Sequence, residues 1–129
     1  MKYNEFISEV QDRASLDSQA QAERATQATL QTLAERISGD ETDHLCAQLT
    51  QELAQYLQQG KQEPKSGQVF SLEEFVQRVS DREQVTLPAA TQHARLVLEV
   101  LQKAVTPGEI SDVRSNLPAD FEPLFSPVS

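Results

Sequence analysis

The residues best suited to chemistry stand in the segment "DHLC", where His44 and Cys46 follow a run of acidic residues. Imidazole and thiolate are zinc ligands, and they could also act as a general base and a nucleophile. Residues two apart on a helix point about 200° apart, so His44 and Cys46 cannot easily share an ion. Asp40 and His44 share a helix face, but two ligands are too few for a structural zinc site. We therefore predict no metal site.

Catalysis by Cys46 would need a base and electropositive surroundings that lower the pKa of the thiol. The neighbours of Cys46 are acidic, and the other histidine, His93, lies far away in the sequence. The carboxylate pairs Asp40–Glu41 and Glu73–Glu74 fall at predicted helix starts, where negative charge is favoured without any catalytic role. There is no glycine-rich phosphate loop and no nucleophile elbow. We therefore predict no catalytic residues, no cofactor and no enzymatic activity.

The composition excludes several classes of partner. The 129 residues carry a net charge of −9, which repels nucleic acids and anionic membrane surfaces. The N-terminal segment lacks the apolar core of a signal peptide, and no run is long enough to span a membrane. The single cysteine cannot form an intramolecular disulfide, which fits a reducing compartment. We predict a cytoplasmic protein that binds neither nucleic acid nor membrane.

An internal repeat organises the chain, because "EFISEVQDR" from Glu5 returns as "EFVQRVSDR" from Glu74. A shift of 69 residues aligns these segments, and a shift of 68 aligns the later ones after one residue is lost in a loop. Apolar residues then fall on apolar residues through most of both halves. The aligned pairs include Tyr3 with Leu72, Phe6 with Phe75, Ile7 with Val76, Val10 with Val79, Tyr56 with Leu124 and Leu57 with Phe125.

The apolar residues recur at i, i+3, i+4 and i+7, which is the spacing of amphipathic helices. At three predicted helix starts a Ser or Thr cap precedes Glu41, Glu74 or Glu109, and we predict capping boxes there. The sequence therefore predicts an all-α protein of two tandem four-helix repeats packed into one compact bundle. The predicted helices are 3–14, 19–37, 40–48, 51–58, 71–82, 88–105, 107–116 and 119–125. The predicted domains are repeat one at 1–59 (the first half), a linker at 60–70, repeat two at 71–125 (the second half) and a frayed terminus at 126–129.

Two dipeptides, Asp12–Arg13 and Asp81–Arg82, are identical in both halves. They could be recognition elements. The interpretation we favour is structural, because they close the first helix of each half, where arginine complements the helix dipole and aspartate can bond a nearby backbone N–H or arginine.

The second helix of the second half is apolar on several sides, through residues that include Leu96 and Val100. Such a helix must be buried on several faces. We predict that it is the central helix, against which the first half packs its Ala-rich second helix. The alternative is that Leu96 and Val100 are exposed and bind a partner.

Three sequence features together resemble a known family: the pattern "EFxxxVxDR", the segment "AERATQATLQTLAERISGDE" and the ending "LPxxFxxLF". The chain resembles the bacterial domain of unknown function 2267 family over residues 3–125. The resemblance implies an all-helical, duplicated fold and implies no reaction. One departure is Thr50, which stands where the second half has Pro118, and a hydroxyl cap can replace proline at such a break.

The function is therefore unknown from the sequence, and two hypotheses stay open. The first is a non-enzymatic interaction module, whose paired helical units hold a protein partner or a second copy in a groove. The alternative is a binding protein for a small apolar ligand held between helices. The sequence assigns no binding residues to either hypothesis.

Overall fold

The computed structural model describes residues 1–61 and 67–125, and within these ranges the chain forms seven α-helices, one 3-10 helix and no strand. The predicted all-α bundle is confirmed. The predicted frayed terminus at 126–129 and residues 62–66 of the predicted linker lie outside the described residues. The helices are α1 (Tyr3–Arg13), α2 (Gln19–Arg36), α3 (Gly39–Cys46), α4 (Gln51–Lys61), α5 (Leu72–Glu83), α6 (Leu87–Ala104), α7 (Pro107–Ser115) and the 3-10 helix (Ala119–Leu124).

Hydroxyl caps set most of the helix starts. Each cap side chain accepts a hydrogen bond from the backbone N–H three residues later, at distances of 3.1–3.3 Å, which satisfies one otherwise unpaired donor. Because these caps are readable from the sequence, the predicted starts agree with the structure to within one residue. The caps are Ser18, Ser38, Ser71, Thr86 and Thr106.

Two predictions were wrong: the end of the fourth helix and the type of the last element. Helix α4 continues to Lys61, past the predicted boundary at residue 58, and its Gly60 is buried rather than part of a surface linker. The last element is a 3-10 helix rather than an α-helix. It begins after Pro118 and contains Pro123, whose missing N–H cannot donate an α-helical hydrogen bond.

Helices of the two halves pack against each other reciprocally. Helix α1 lies on α2 and also on α6, while α5 lies on α6 and also on α2; α2 contacts α6, and α3 contacts α7. Exchanging the halves maps these contacts onto one another. This reciprocity is compatible with the predicted duplication, which stays a prediction drawn from the sequence. No helix among the described residues is long and apolar enough to cross a membrane.

Leu96 and Val100 are buried, with 4% and 0% of their surfaces exposed, so the alternative that they form a binding face is wrong. Helix α6 is central as predicted, with contacts to α1, α2, α5 and the 3-10 helix. Helix α2 is equally central, which its modest apolarity does not suggest. It contacts α1, α4, α5 and α6, and it buries Ala and Thr side chains that allow close approach.

The repeated arginines both reach the second helix of the opposite half. Arg13 forms ion pairs with Glu9 on its own helix and with Glu99 on α6. Arg82 donates to Thr32 at 2.8 Å and pairs with Glu35 on α2 at 2.8 Å. Both residues therefore join the halves, in addition to ending a helix.

Asp81, beside Arg82, has a more local partner. The side chain of Asp81 accepts a hydrogen bond from Gln77 at 2.9 Å, one turn earlier on the same helix, rather than from the backbone N–H or arginine that we predicted.

Gly60 marks a close approach of α4 to α2. A Cβ atom added there would lie 2.1 Å from the carbonyl oxygen of Gln31 on α2. We expect Gly60→Ala to lower the free energy of unfolding by about 2–3 kcal/mol, because backbone must move to admit the methyl group. Gly108→Ala is the matched control, since nothing lies within 4 Å of its added Cβ. Urea denaturation of both variants checks this, and equal midpoints would contradict it.

The buried Glu35 supports a second prediction, because it pairs with Arg78 at 3.2 Å and with Arg82 at 2.8 Å. Burial alone would raise the pKa of Glu35, but the two arginines outweigh it and hold the pKa below 4.5. The depressed pKa means that the carboxylate stabilises the fold above pH 4.5 and that this contribution is lost as the pH falls through the folded-state pKa.

We expect Glu35→Gln to lower the free energy of unfolding at pH 7 by about 1–3 kcal/mol. This difference from the wild type should shrink below pH 4. Denaturation at pH 7 and pH 3 measures it, with the exposed Glu52→Gln as the control. A difference independent of pH would contradict the assignment.

Candidate functional site

A groove of about 490 Å³ lies between α5, α6 and the 3-10 helix, and we call it the α5–α6 groove. Val76 and Leu124 are almost fully buried at its base, and Leu72 is partly buried beside them. Leu87 belongs to the same lining but is 47% exposed, so it stands at the rim. An exposed large apolar residue beside an apolar depression is a feature of binding surfaces.

Only two of the residues that line the groove are charged. Glu73 and Arg95 carry opposite charges that compensate, and Thr91, Gln77 and Pro123 complete the lining. Leu72 and Val76 are one turn apart on α5, and Leu87, Thr91 and Arg95 follow one another by single turns on α6. The groove therefore runs along two helices and can accept apolar side chains presented at helical spacing.

At the aligned positions of the first half, larger side chains form a hydrogen-bonded cluster. Tyr3 and Tyr56 stand where the alignment has Leu72 and Leu124, and their hydroxyl oxygens are 2.7 Å apart. Tyr3 also donates to Glu23 at 2.8 Å. Burial, followed by the bonds to Tyr56 and Glu23, raises the pKa of Tyr3, so its hydroxyl stays protonated and keeps this geometry.

The shift of 68 residues, which aligns the later parts of the two halves, places Glu23 opposite Thr91. All three members of the cluster thus have a smaller or less polar counterpart in the second half. The groove is open where the larger side chains are missing. Sequence reasoning missed it, although the replacement of Tyr by Leu at two aligned positions was a usable signal.

A second feature is a cluster of three carboxylate side chains where α3 contacts α7. Glu41, Glu109 and Asp112 each offer one oxygen, and these oxygens all lie within 4.8 Å of one another. Among the described residues this is the one group of three or more His, Cys, Asp or Glu side chains with such spacing. Glu41 and Glu109 are 6% and 7% exposed, while Asp112 is exposed to solvent. We call this the acidic cluster.

The predicted capping boxes form only in part. Ser38 and Thr106 accept from the N–H groups of Glu41 and Glu109, as predicted. However, the N–H of Ser38 donates to Asn116 at 3.2 Å, and the N–H of Thr106 donates to Gln48 at 2.9 Å.

The backbone N–H groups that the glutamates were predicted to bond are therefore satisfied by side chains of the opposite half. As a result, the carboxylates of Glu41 and Glu109 are free to face each other. In the third predicted box Glu74 pairs instead with Arg78, one turn later, at 2.9 Å.

The environment of Glu41 disfavours its charged form. Burial is the main cause, and the adjacent carboxylates of Glu109 and Asp112 add to it, which together raise the pKa of Glu41 to about 8. One Glu109 oxygen accepts a bond from Gln48 at 3.3 Å. The Oε2 atoms of Glu41 and Glu109 have no hydrogen-bond partner among the described residues. The arrangement suits either a shared proton or a bound cation.

The candidates taken from the sequence are separated in the structure. His44 is exposed, while the half-buried Cys46 donates a weak bond to the Ala54 carbonyl at 3.7 Å. Burial raises the pKa of Cys46, which opposes thiolate formation. His93 does not approach Cys46 and bonds to Glu83 on α5 instead.

His93 and Glu83 line a small pocket of about 160 Å³ that also contains Gln21 and Arg24. Small-molecule sites usually measure about 300–1,000 Å³, so this pocket is small for a substrate.

Comparison with known proteins gives one positive finding. No curated protein matches the sequence. The model of the family described as "Uncharacterized conserved protein (DUF2267)" matches residues 3–124, which is nearly the whole chain and agrees with the resemblance found in the sequence motifs. The chain therefore belongs to the DUF2267 family of uncharacterized conserved proteins.

Proposed function

We propose that the protein is a non-enzymatic interaction module whose α5–α6 groove binds a basic, amphipathic helical segment of another protein. The observation that carries the proposal is the open apolar groove with Leu87 exposed at its rim. Amphipathic helices commonly bind such grooves by inserting apolar side chains from successive turns. The groove offers Leu72, Val76 and Leu124 to receive them.

Charge favours a basic partner. The two lining charges, Glu73 and Arg95, compensate each other, so the net charge of −9 governs long-range attraction. Positive residues flanking the apolar face of a partner would therefore speed association and add affinity at low salt. A second copy of the chain carries the same −9 and is repelled, which disfavours a homodimer through this groove.

The shape of the groove favours a polypeptide over a small molecule. Small ligands usually bury about 70–90% of their surface in their sites. Leu87 stands exposed at the rim, so the groove is open along one side and would leave a compact ligand partly solvated. A helix can occupy such a groove with one face and keep its polar face in water.

Leu87→Glu tests the proposal with a fluorescent probe peptide of about 16 residues that has leucines on one helical face and lysines on the other. We expect wild-type protein to bind this peptide and Leu87→Glu to bind at least 10-fold more weakly, although the variant is more acidic. Val69→Glu is the matched control, because Val69 is 90% exposed, lies outside the groove lining and gains the same charge. Fluorescence anisotropy measures both affinities, and equal losses would contradict the proposal.

A further variant fills the groove with the side chains that the first half has at the aligned positions. The triple substitution Leu72→Tyr, Thr91→Glu and Leu124→Tyr copies the hydrogen-bonded cluster of the first half. We expect it to abolish peptide binding while circular dichroism still shows a helical, cooperatively unfolding protein.

Other occupants would give different results. Binding of a neutral fatty alcohol but not of the peptide would overturn the proposal in favour of a small apolar ligand. Light scattering that shows a dimer, dissociated by Leu87→Glu, would overturn it in favour of a second copy.

A further inference from the structure

The acidic cluster contains two buried carboxylates that lack a compensating cation. Among the described residues no Lys, Arg or His side chain forms an ion pair with Glu41 or Glu109. Each has an Oε2 atom to which no other described residue donates, and the two carboxyl groups can bond to each other only when one of them is protonated. More than nine-tenths of both residues is buried. Two such groups cannot both be charged in a buried site without something positive between them.

The position of the cluster is set by both halves. Glu41 and Glu109 are aligned by the shift of 68 residues, and each is the third residue of its helix. Since Asn116 and Gln48 bond the cap N–H groups, the two carboxylates are released from capping and converge across the α3–α7 contact. The convergence therefore depends on tertiary contacts and not only on the usual preference for acids at helix starts.

We propose that Glu41, Glu109 and Asp112 bind one divalent cation of the oxygen-preferring class, such as Mg²⁺ or Mn²⁺. The donor set contains carboxylate oxygens without sulfur or imidazole, which is the chemistry that hard cations prefer. Two oxygens bound to one ion are at most about 4.2 Å apart for Mg²⁺, whose bonds are about 2.0–2.1 Å, and at most about 5.2 Å apart for the larger Ca²⁺, whose bonds are about 2.3–2.6 Å. The three oxygens all lie within 4.8 Å of one another, so the side chains need to draw together by only a few tenths of an ångström to reach the Mg²⁺ spacing.

Access and coordination number also fit. Asp112 is exposed, so an ion can reach the buried pair from solvent. Three protein oxygens leave the other positions of an octahedral ion to water, which is the usual arrangement for Mg²⁺. Burial and like charges raise the pKa of Glu41 because they disfavour its charged form. A bound cation would offset both effects. Because the cluster joins α3 to α7, a bound ion would also stabilise the contact between the halves.

Mn²⁺ binding to the full chain, after treatment with a chelator, tests the proposal by electron paramagnetic resonance of the free ion. We expect one Mn²⁺ per chain, competition by Mg²⁺ and a melting temperature that rises by a few degrees with saturating ion. Glu41→Gln and Glu109→Gln should each weaken binding at least 10-fold. Asp112→Asn, at an exposed position, should weaken it less and leave the stability of the ion-free protein close to that of the wild type.

Glu52→Gln is the control, since it removes the same charge from an exposed site outside the cluster and should bind Mn²⁺ like the wild type. The absence of Mn²⁺ binding at about 1 mM ion would overturn the proposal and leave a shared proton as the role of the pair. Equal affinities of Glu41→Gln and Glu52→Gln would overturn it as well. These outcomes are independent of peptide binding by the α5–α6 groove.

Discussion

The packing of each first helix on the second helices of both halves is the constraint on which the rest of the structure depends. Helix α1 buries Phe6, Ile7 and Val10, and it packs on α6 of the second half as well as on α2. Helix α5 buries Phe75 and Val79 and packs on α2 as well as on α6. Each half therefore completes part of the core of the other. A domain of about 60 residues buries too little surface to be very stable alone, and this interlocking combines two such units.

The interlocking also explains where polar groups are buried. Arg82 and Glu35 meet because α5 lies on α2, and the arginine charge offsets the cost of burying the carboxylate. Glu41 and Glu109 meet because α3 lies on α7, but here two groups of the same charge face each other. The first contact stabilises the join between the halves. The second contact is favourable only when a proton or a cation lies between the two carboxyl groups.

Much of the local structure could be predicted from the sequence, because hydroxyl caps and apolar periodicity are properties of neighbouring residues. The features that escaped prediction depend on residues far apart in the chain. Helix α2 is central although it is rich in Ala and Thr, since small side chains allow close helix packing without raising hydrophobicity. Gly60 has the composition of a linker residue in the sequence, and only the packing of α4 against the backbone of Gln31 requires a glycine there. The pairing of Glu41 with Glu109 likewise required the contact of α3 with α7.

The two candidate sites use the alignment of the halves in opposite ways. At the acidic cluster the aligned residues Glu41 and Glu109 are identical, while Asp112 stands where the first half has His44, and the contact of α3 with α7 brings the two glutamates together. At the α5–α6 groove the halves differ, because Leu72 lines the groove where the first half has Tyr3, whose hydroxyl is bonded to Tyr56. Residues shared by both halves, such as Arg13 and Arg82, mostly serve packing that each half needs. Leu87 at the groove rim is 47% exposed, unlike the buried Val76 and Leu124, so a substitution there can alter the proposed binding without loss of the fold.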